Sequence, residues 1–133
     1  SQDVNSNSLQ RLQVVKGRVR DGISSESVYD VACADGLEIN TTTHRCPDNG
    51  ARVSLDDCSV SQGLGAAELK TVWTDPDFDS RDHAFYYVRV LENPVCRWST
   101  WDAIRKGVRP RADLNATIQE RAWSSPIWIG PSE

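Results

Sequence analysis

The sequence is short of several features that would define a function by themselves. It contains no methionine and only two histidines, and no apolar run reaches the roughly 20 residues needed to cross a bilayer. The basic and apolar regions of a signal peptide are missing from its start, so we expect a soluble chain that has been processed if it is exported. Its formal net charge of −4 argues against a nucleic-acid binder, which needs a positive field.

The residues that carry hydrolytic chemistry are equally sparse. His44 and His83 lie in polar segments without companions at helical or strand spacing, whereas a catalytic zinc ion needs three protein ligands. No serine lies in a GxSxG frame, and no glycine-rich phosphate cradle occurs. We therefore predict that the chain has no catalytic residue, no cofactor and no metal site of its own, and that both histidines are ordinary surface residues.

One acidic segment offers an alternative to this prediction. Asp75, Asp77 and Asp79 alternate in the way that calcium-binding loops collect oxygen ligands. Ser80 stands where such a loop has glycine, and Tyr86 stands where it has a bidentate glutamate. A solvated turn before a strand is the preferred interpretation, with a calcium site as the alternative.

The four cysteines are even in number and too irregularly spaced for a metal knuckle, so disulfides are expected. Of the three possible connectivities we predict Cys46 with Cys58, which closes a short loop, and Cys33 with Cys96. Disulfides favour an extracytoplasmic location, periplasmic or secreted. Asn40 and Asn115 begin glycosylation sequons that have meaning only in a eukaryotic secretory pathway.

The length of 133 residues fits one domain, and we predict a flexible end over 1–8 and a single domain over 9–133. Alternating apolar residues predict strands over 9–19, 27–33, 67–73, 84–92, 116–123 and 126–129. Ser99 and Asp102 form a capping-box pattern for one helix that ends before Gly107. The expected fold is mainly β, an immunoglobulin-like or related β-sandwich with one short helix and long disulfide-linked loops.

Two of the five tryptophans, Trp98 and Trp101, lie three residues apart on the predicted helix and can share a face. Flat aromatic rings stack on sugars, so an independent extracellular carbohydrate-binding module is one alternative function. A purely structural subunit is another. Core packing or a contact between domains is the commoner role of tryptophan in a small sandwich.

Five segments of the chain resemble a known family: VYDVACADG, THRCPDNGA, AELKTVWTDPDFD, AFYYVRVLENPVCRWSTWDA and ATIQERAWSSPIW. They are similar to the C-terminal part of a large, mostly bacterial family long described as a domain of unknown function. Members of that family are several times longer than this chain. Their N-terminal part resembles the PHP (polymerase and histidinol phosphatase) class of metal-dependent phosphoesterases.

The resemblance implies a function for the chain as part of something larger. It implies a noncatalytic C-terminal β domain, or processed chain, that stabilises or completes a metal-dependent phosphatase or phosphodiesterase. The divalent metal and its ligands would belong to the larger N-terminal part, which is the expected partner. Arg97 and Trp98 match a family motif and are therefore the predicted contact with that part. Fold-level analogy fixes neither substrate nor reaction.

Overall fold

The computed structural model describes residues 1–130 and confirms a mainly β fold. The last three residues of the predicted 9–133 domain lie outside the described residues. Within the described part the chain forms seven strands and one helix: β1 (Leu9–Arg20), β2 (Ile23–Cys33), β3 (His83–Glu92), β4 (Val95–Cys96), α1 (Trp98–Arg105), β5 (Thr117–Ile118), β6 (Arg121–Trp123) and β7 (Ile127–Ile129). Among residues 1–130, no helix is long and apolar enough to cross a membrane.

The first two strands form an antiparallel hairpin, as the sequence predicts. Asp21 and Gly22 connect them with φ angles of 51° and 76°. Two consecutive residues with positive φ give the turn whose twist matches that of the flanking strands, and Asp-Gly is a favoured pair for it. The turn fixes the register, so that Arg20 lies opposite Ile23 and Val15 lies opposite Val28.

The strands are divided unequally between two antiparallel sheets. In the main sheet β1 lies between β2 and β3, while β6 and β7 pair with the two halves of β3 on its other side. The second sheet consists of β4 and β5 only. One long face of the main sheet is covered by the loop that precedes β3, because side chains of that loop bond to β1, β2 and β3.

A buried carboxylate, that of Asp30, lies beside the apolar core on β2, an edge strand of the main sheet. Val15 is fully buried, and the carboxylate of Asp30 is buried almost as deeply. Asp30 accepts hydrogen bonds from Arg11 at 3.0 Å, from Gln13 at 2.6 Å and from the backbone N–H of Cys46 at 2.7 Å. A buried charge needs such partners to offset the loss of hydration. Asp30 thus ties β1 and β2 to the loop that carries Cys46.

All four cysteines form disulfides, but the predicted pairing is wrong. The bonds are Cys33–Cys46 and Cys58–Cys96, each with 5.7 Å between the Cα atoms. The long loop after β2 returns along the same strand, where Asp30 donates its N–H to His44 O and accepts from Cys46. That return places Cys46 beside Cys33, and Cys58 is left to reach β4.

Two local predictions also differ from the structure. Residues 67–73 form no strand, because no neighbouring strand is positioned to pair with them. Arg97 occupies the N-cap of α1 without a side-chain hydrogen bond, so the Ser99–Asp102 capping box does not form. The first eight residues are bonded to the domain, since the Gln2 N–H donates to Ala67 O and the Asn7 side chain donates to Asn93 O, and their flexibility stays a prediction.

Candidate functional site

A row of exposed apolar side chains follows one edge of the main sheet. Trp128 lies opposite Phe85 on β3, with 5.1 Å between their ring centroids, and Ile127 lies opposite Tyr86. Trp123 lies opposite Arg89 on the other half of β3. Trp128 is 72% exposed and Trp123 is 59% exposed. We call Phe85, Trp123, Ile127 and Trp128 the aromatic edge.

The backbone of the aromatic edge is also free on its outer side. Within residues 1–130, β6 and β7 pair only with β3, so their other N–H and C=O groups face outward. Proteins normally shield such an edge with charge, proline or a covering segment, because it pairs readily with other chains. Here Pro126 interrupts the edge, yet tryptophan and isoleucine side chains remain exposed on both sides of it.

Phe85 holds its position because a glycine lies beneath it. A Cβ atom at Gly17 of β1 would lie 2.2 Å from Cζ of Phe85, so the ring occupies the space of the missing side chain. A cavity of about 320 Å³ opens beside the ring, lined mainly by Val19, Trp128 and Ile129. The aromatic edge therefore presents a formed apolar depression as well as projecting indoles.

The face of the sheet opposite to Phe85 and Trp128 carries a buried ion pair. Lys16 Nζ lies 2.5 Å from Asp75 Oδ2, and each side chain is more than nine-tenths buried. Tyr86 donates its hydroxyl to the same carboxylate at 2.7 Å, and Tyr29 donates to Asp77 at 2.9 Å. These side chains bond the loop before β3 that contains Asp75, Asp77 and Asp79, here called the acidic loop, to β1, β2 and β3.

These contacts shift the titration of the groups involved. Burial by itself would raise the pKa of the Asp75 carboxyl, but hydrogen bonds from Lys16 and Tyr86 outweigh it and hold that pKa below its ordinary value. Burial and the hydrogen bond to Asp75 raise the pKa of Tyr86, because both oppose the phenolate. The pKa of Tyr29 is raised by burial and by its bond to Asp77.

The same contacts argue against the calcium alternative for Asp75, Asp77 and Asp79. The three carboxylates do not converge: Asp75 pairs with Lys16, Asp77 accepts from Tyr29, and Asp79 pairs with Arg81 and Arg20. Over residues 1–130, no three histidine, cysteine or acidic side chains are placed to hold one metal ion. The acidic loop serves as an anchor for the strands.

The two histidines have separate surroundings. His44 packs edge-on against the Tyr29 ring, with 5.3 Å between the centroids. It is partly buried, unlike the surface residue that the sequence suggests. His83 begins β3 and is exposed at the rim of the apolar depression.

The helix carries a second exposed aromatic surface. Trp98 is 77% exposed and Trp101 is 39% exposed, so neither tryptophan has the core-packing role that is commoner for this residue. The guanidinium of Arg105 lies 5.4 Å from the Trp101 ring centroid. Nε of Arg97 is buried and has no hydrogen-bond partner among the described residues.

Comparison with protein families decides the affiliation of the chain. The profile described as "Protein of unknown function (DUF3604)" matches residues 1–131. The chain belongs to this family. No curated protein and no solved structure shows significant similarity to it.

The family match covers both exposed aromatic surfaces of this DUF3604 member. The predicted contact residues Arg97 and Trp98 lie on one of them, at the start of α1. The aromatic edge was not predicted as a site, although two tryptophans in RAWSSPIWI indicate it. The predicted glycosylation sites of the DUF3604 chain, Asn40 and Asn115, are both exposed, and their modification stays a prediction.

Sequence reasoning also missed the pairing of Lys16 with Asp75. The two residues are 59 positions apart, and no local pattern connects them. The available signal was a lysine directly after Val14 and Val15 in a predicted strand, since a buried ammonium needs a partner. The disulfides of this DUF3604 domain indicate an oxidising, extracytoplasmic environment.

Proposed function

We propose that this chain is a noncatalytic β domain that docks onto a PHP-like, metal-dependent phosphoester hydrolase and completes it. The observation that carries the proposal is the aromatic edge. Large exposed apolar patches on a soluble protein mark interaction sites, and tryptophans are the residues that contribute most at such contacts. Trp128, at 72% exposure, and the depression beside Phe85 supply a projecting anchor and a receiving pocket.

The edge suits a permanent partner better than a transient one. Burying a large aromatic side chain stabilises a contact by roughly 2 kcal/mol or more. The outward backbone groups of β6 and β7 gain hydrogen bonds when another segment lies beside them. Apolar anchors together with a free strand edge match the chemistry of an interface between domains of one protein.

The acidic groups of the domain support a scaffold role. Asp30, Asp75 and Asp79 have arginine or lysine partners within the fold, so their charge is used for stability. In the proposal, the divalent metal and the groups that activate water belong to the larger N-terminal domain. The reaction class, phosphatase or phosphodiesterase, comes from the resemblance of that domain to PHP enzymes, and the location is periplasmic or secreted.

The docking surface that we propose is the aromatic edge. The sequence placed the contact at Arg97 and Trp98, on the helix. The edge combines apolar side chains, a pocket and free backbone groups, whereas the helix surface is basic and open. A carbohydrate-binding function is the second candidate, favoured by the exposure of Trp98 and Trp101.

The test uses this chain and the N-terminal region of its parent protein, expressed as separate polypeptides. We expect a one-to-one complex by size-exclusion chromatography with light scattering. Trp128→Ala should weaken the complex about 30-fold, which corresponds to ~2 kcal/mol for an interface anchor. Trp98→Ala is the matched control, since it removes an equally exposed indole outside the edge. Failure of the two polypeptides to associate, or equal weakening by both variants, would overturn the proposal.

A further inference from the structure

The outer surface of α1 forms an open groove with an unusual combination of side chains. Trp98, Trp101, Asp102 and Arg105 line it, and its volume is about 490 Å³. That volume falls in the range of small-molecule sites, roughly 300–1,000 Å³. Both indoles are exposed, and the Arg105 guanidinium lies over the Trp101 ring at 5.4 Å from its centroid. The groove thus has one open indole, that of Trp98, and a second indole, that of Trp101, with a cation over its ring.

The charge around the groove is opposite to that of the protein. Residues 97–111 contain five of the 15 basic residues and one of the 19 acidic residues, a net charge of +4 in a chain of −4. The acidic member, Asp102, is paired with Lys106 at 2.7 Å, and Arg111 is paired with Asp113. Arg105 and Arg109 form no ion pair with the described residues. The groove is therefore a local attractor for anions.

The two properties together specify a class of ligand. The C–H face of a pyranose ring stacks on an indole, and hydroxyl groups bond to polar side chains beside it. A carboxylate or sulfate group is held by the planar fork of an arginine, which forms two parallel hydrogen bonds. An acidic protein surface would satisfy the same charge, and the binding of polyglutamate distinguishes such a partner from a glycan.

We propose that the α1 groove binds an anionic carbohydrate, a sugar chain that carries carboxylate or sulfate groups. Trp98 forms the stacking platform, and Arg105, which lies over the Trp101 ring, binds the anionic substituent. Arg109 contributes attraction at longer range. The site is separate from the aromatic edge, so it can operate whether or not the domain docks there.

Isothermal titration calorimetry on the full chain tests the proposal with four probes. Polygalacturonate carries carboxylates, heparin carries sulfates, dextran is neutral, and polyglutamate is anionic without sugar. We expect saturable binding of polygalacturonate or heparin that weakens with added salt, and the comparison of the two identifies the anionic group. Dextran and polyglutamate should bind at least about tenfold more weakly, since each lacks one of the two recognised features.

Variants assign the binding to the groove. Trp98→Ala and Arg105→Gln should each weaken binding about tenfold, and Arg105→Lys should restore part of it. Trp128→Ala, on the aromatic edge, is the control and should bind as the unmodified chain does. Circular dichroism checks the fold, which we expect to be retained because Trp98 is exposed. Polyglutamate binding as tightly as the glycans would replace the proposal with an acidic protein partner. No binding of either glycan, or binding unaffected by both groove variants, would overturn it.

Discussion

Lys16 and Asp75 form an ion pair that is almost completely removed from solvent, with 2.5 Å between Nζ and Oδ2. The two residues lie on the central strand and on the acidic loop before β3, and the Tyr86 hydroxyl completes the group. A loop of irregular structure therefore covers the sheet through charge and phenolic hydrogen bonds. Trp73 adds an apolar contact with Tyr29, at 5.1 Å between the ring centroids.

Loss of one member of this pair should destabilise the domain strongly. We expect Lys16→Met to lower the free energy of unfolding by about 3–5 kcal/mol, because it leaves the Asp75 carboxylate buried without its cation. Urea denaturation followed by tryptophan fluorescence measures the change. Lys106→Met is the matched control, since its exposed pair with Asp102 should contribute less than about 1 kcal/mol. Similar losses in both variants would contradict the interpretation.

The stability of the domain should fall at both ends of the pH scale. The pKa of Asp75 is lower in the folded than in the unfolded chain, so its contribution is present above about pH 4 and is lost as the pH falls through the folded pKa. The pKa of Tyr86 is raised, so its contribution is present below about pH 10 and is lost as the pH rises further.

Urea midpoints measured across the pH range check this behaviour. Tyr86→Phe should flatten the alkaline decline, and Asp75→Asn should flatten the acidic decline. Tyr87→Phe is the control for the alkaline arm, because Tyr87 lies on the opposite face of the same strand. An alkaline decline that persists unchanged in Tyr86→Phe would show that another group causes it.

Peptide mapping without reduction should recover Cys33 with Cys46 and Cys58 with Cys96. The second bond spans 38 residues and the first spans 13. Removal of Cys58–Cys96 should lower the free energy of unfolding by about 4 kcal/mol, and removal of Cys33–Cys46 by about 3 kcal/mol. The difference arises because the longer loop restricts the unfolded chain more. Variants in which both cysteines of one bond are changed to alanine, compared by urea denaturation, show which disulfide contributes more to stability. A larger loss for the shorter loop would show that native contacts around Cys46 dominate over chain entropy.

Gly17 should be required for the position of the Phe85 ring. Gly17→Ala places a methyl group where the ring lies, at 2.2 Å from Cζ before any shift. We expect a loss of about 1–3 kcal/mol from overpacking, and Phe85→Leu should recover part of it. A double-mutant cycle by urea denaturation measures the coupling. Gly22→Ala is the control. Its loss of stability should come from the positive φ of Gly22 and should not depend on Phe85.

The strands that pair locally could be predicted from the sequence. Asp21-Gly22 lies between two runs of β-branched residues, and that local signal specifies the β1–β2 hairpin. AFYYVRVLE indicates β3 because apolar residues occupy both of its sides. The segment containing Leu69, Thr71 and Trp73 shows a similar alternation, yet it forms no strand. A strand needs a partner for its backbone groups, and alternation does not reveal whether one is present.

The amino-acid sequence by itself determined the mainly β class, the hairpin, the helix and the commitment of all cysteines to disulfides, because each depends on neighbours along the chain or on composition. The tertiary structure decided which cysteines pair, which cationic side chain pairs with Asp75 and which tryptophans remain exposed. Those outcomes depend on how the loops after β2 and before β3 return to the sheet. Contacts between residues tens of positions apart leave no periodic signal in the sequence, so only the fold brings them together.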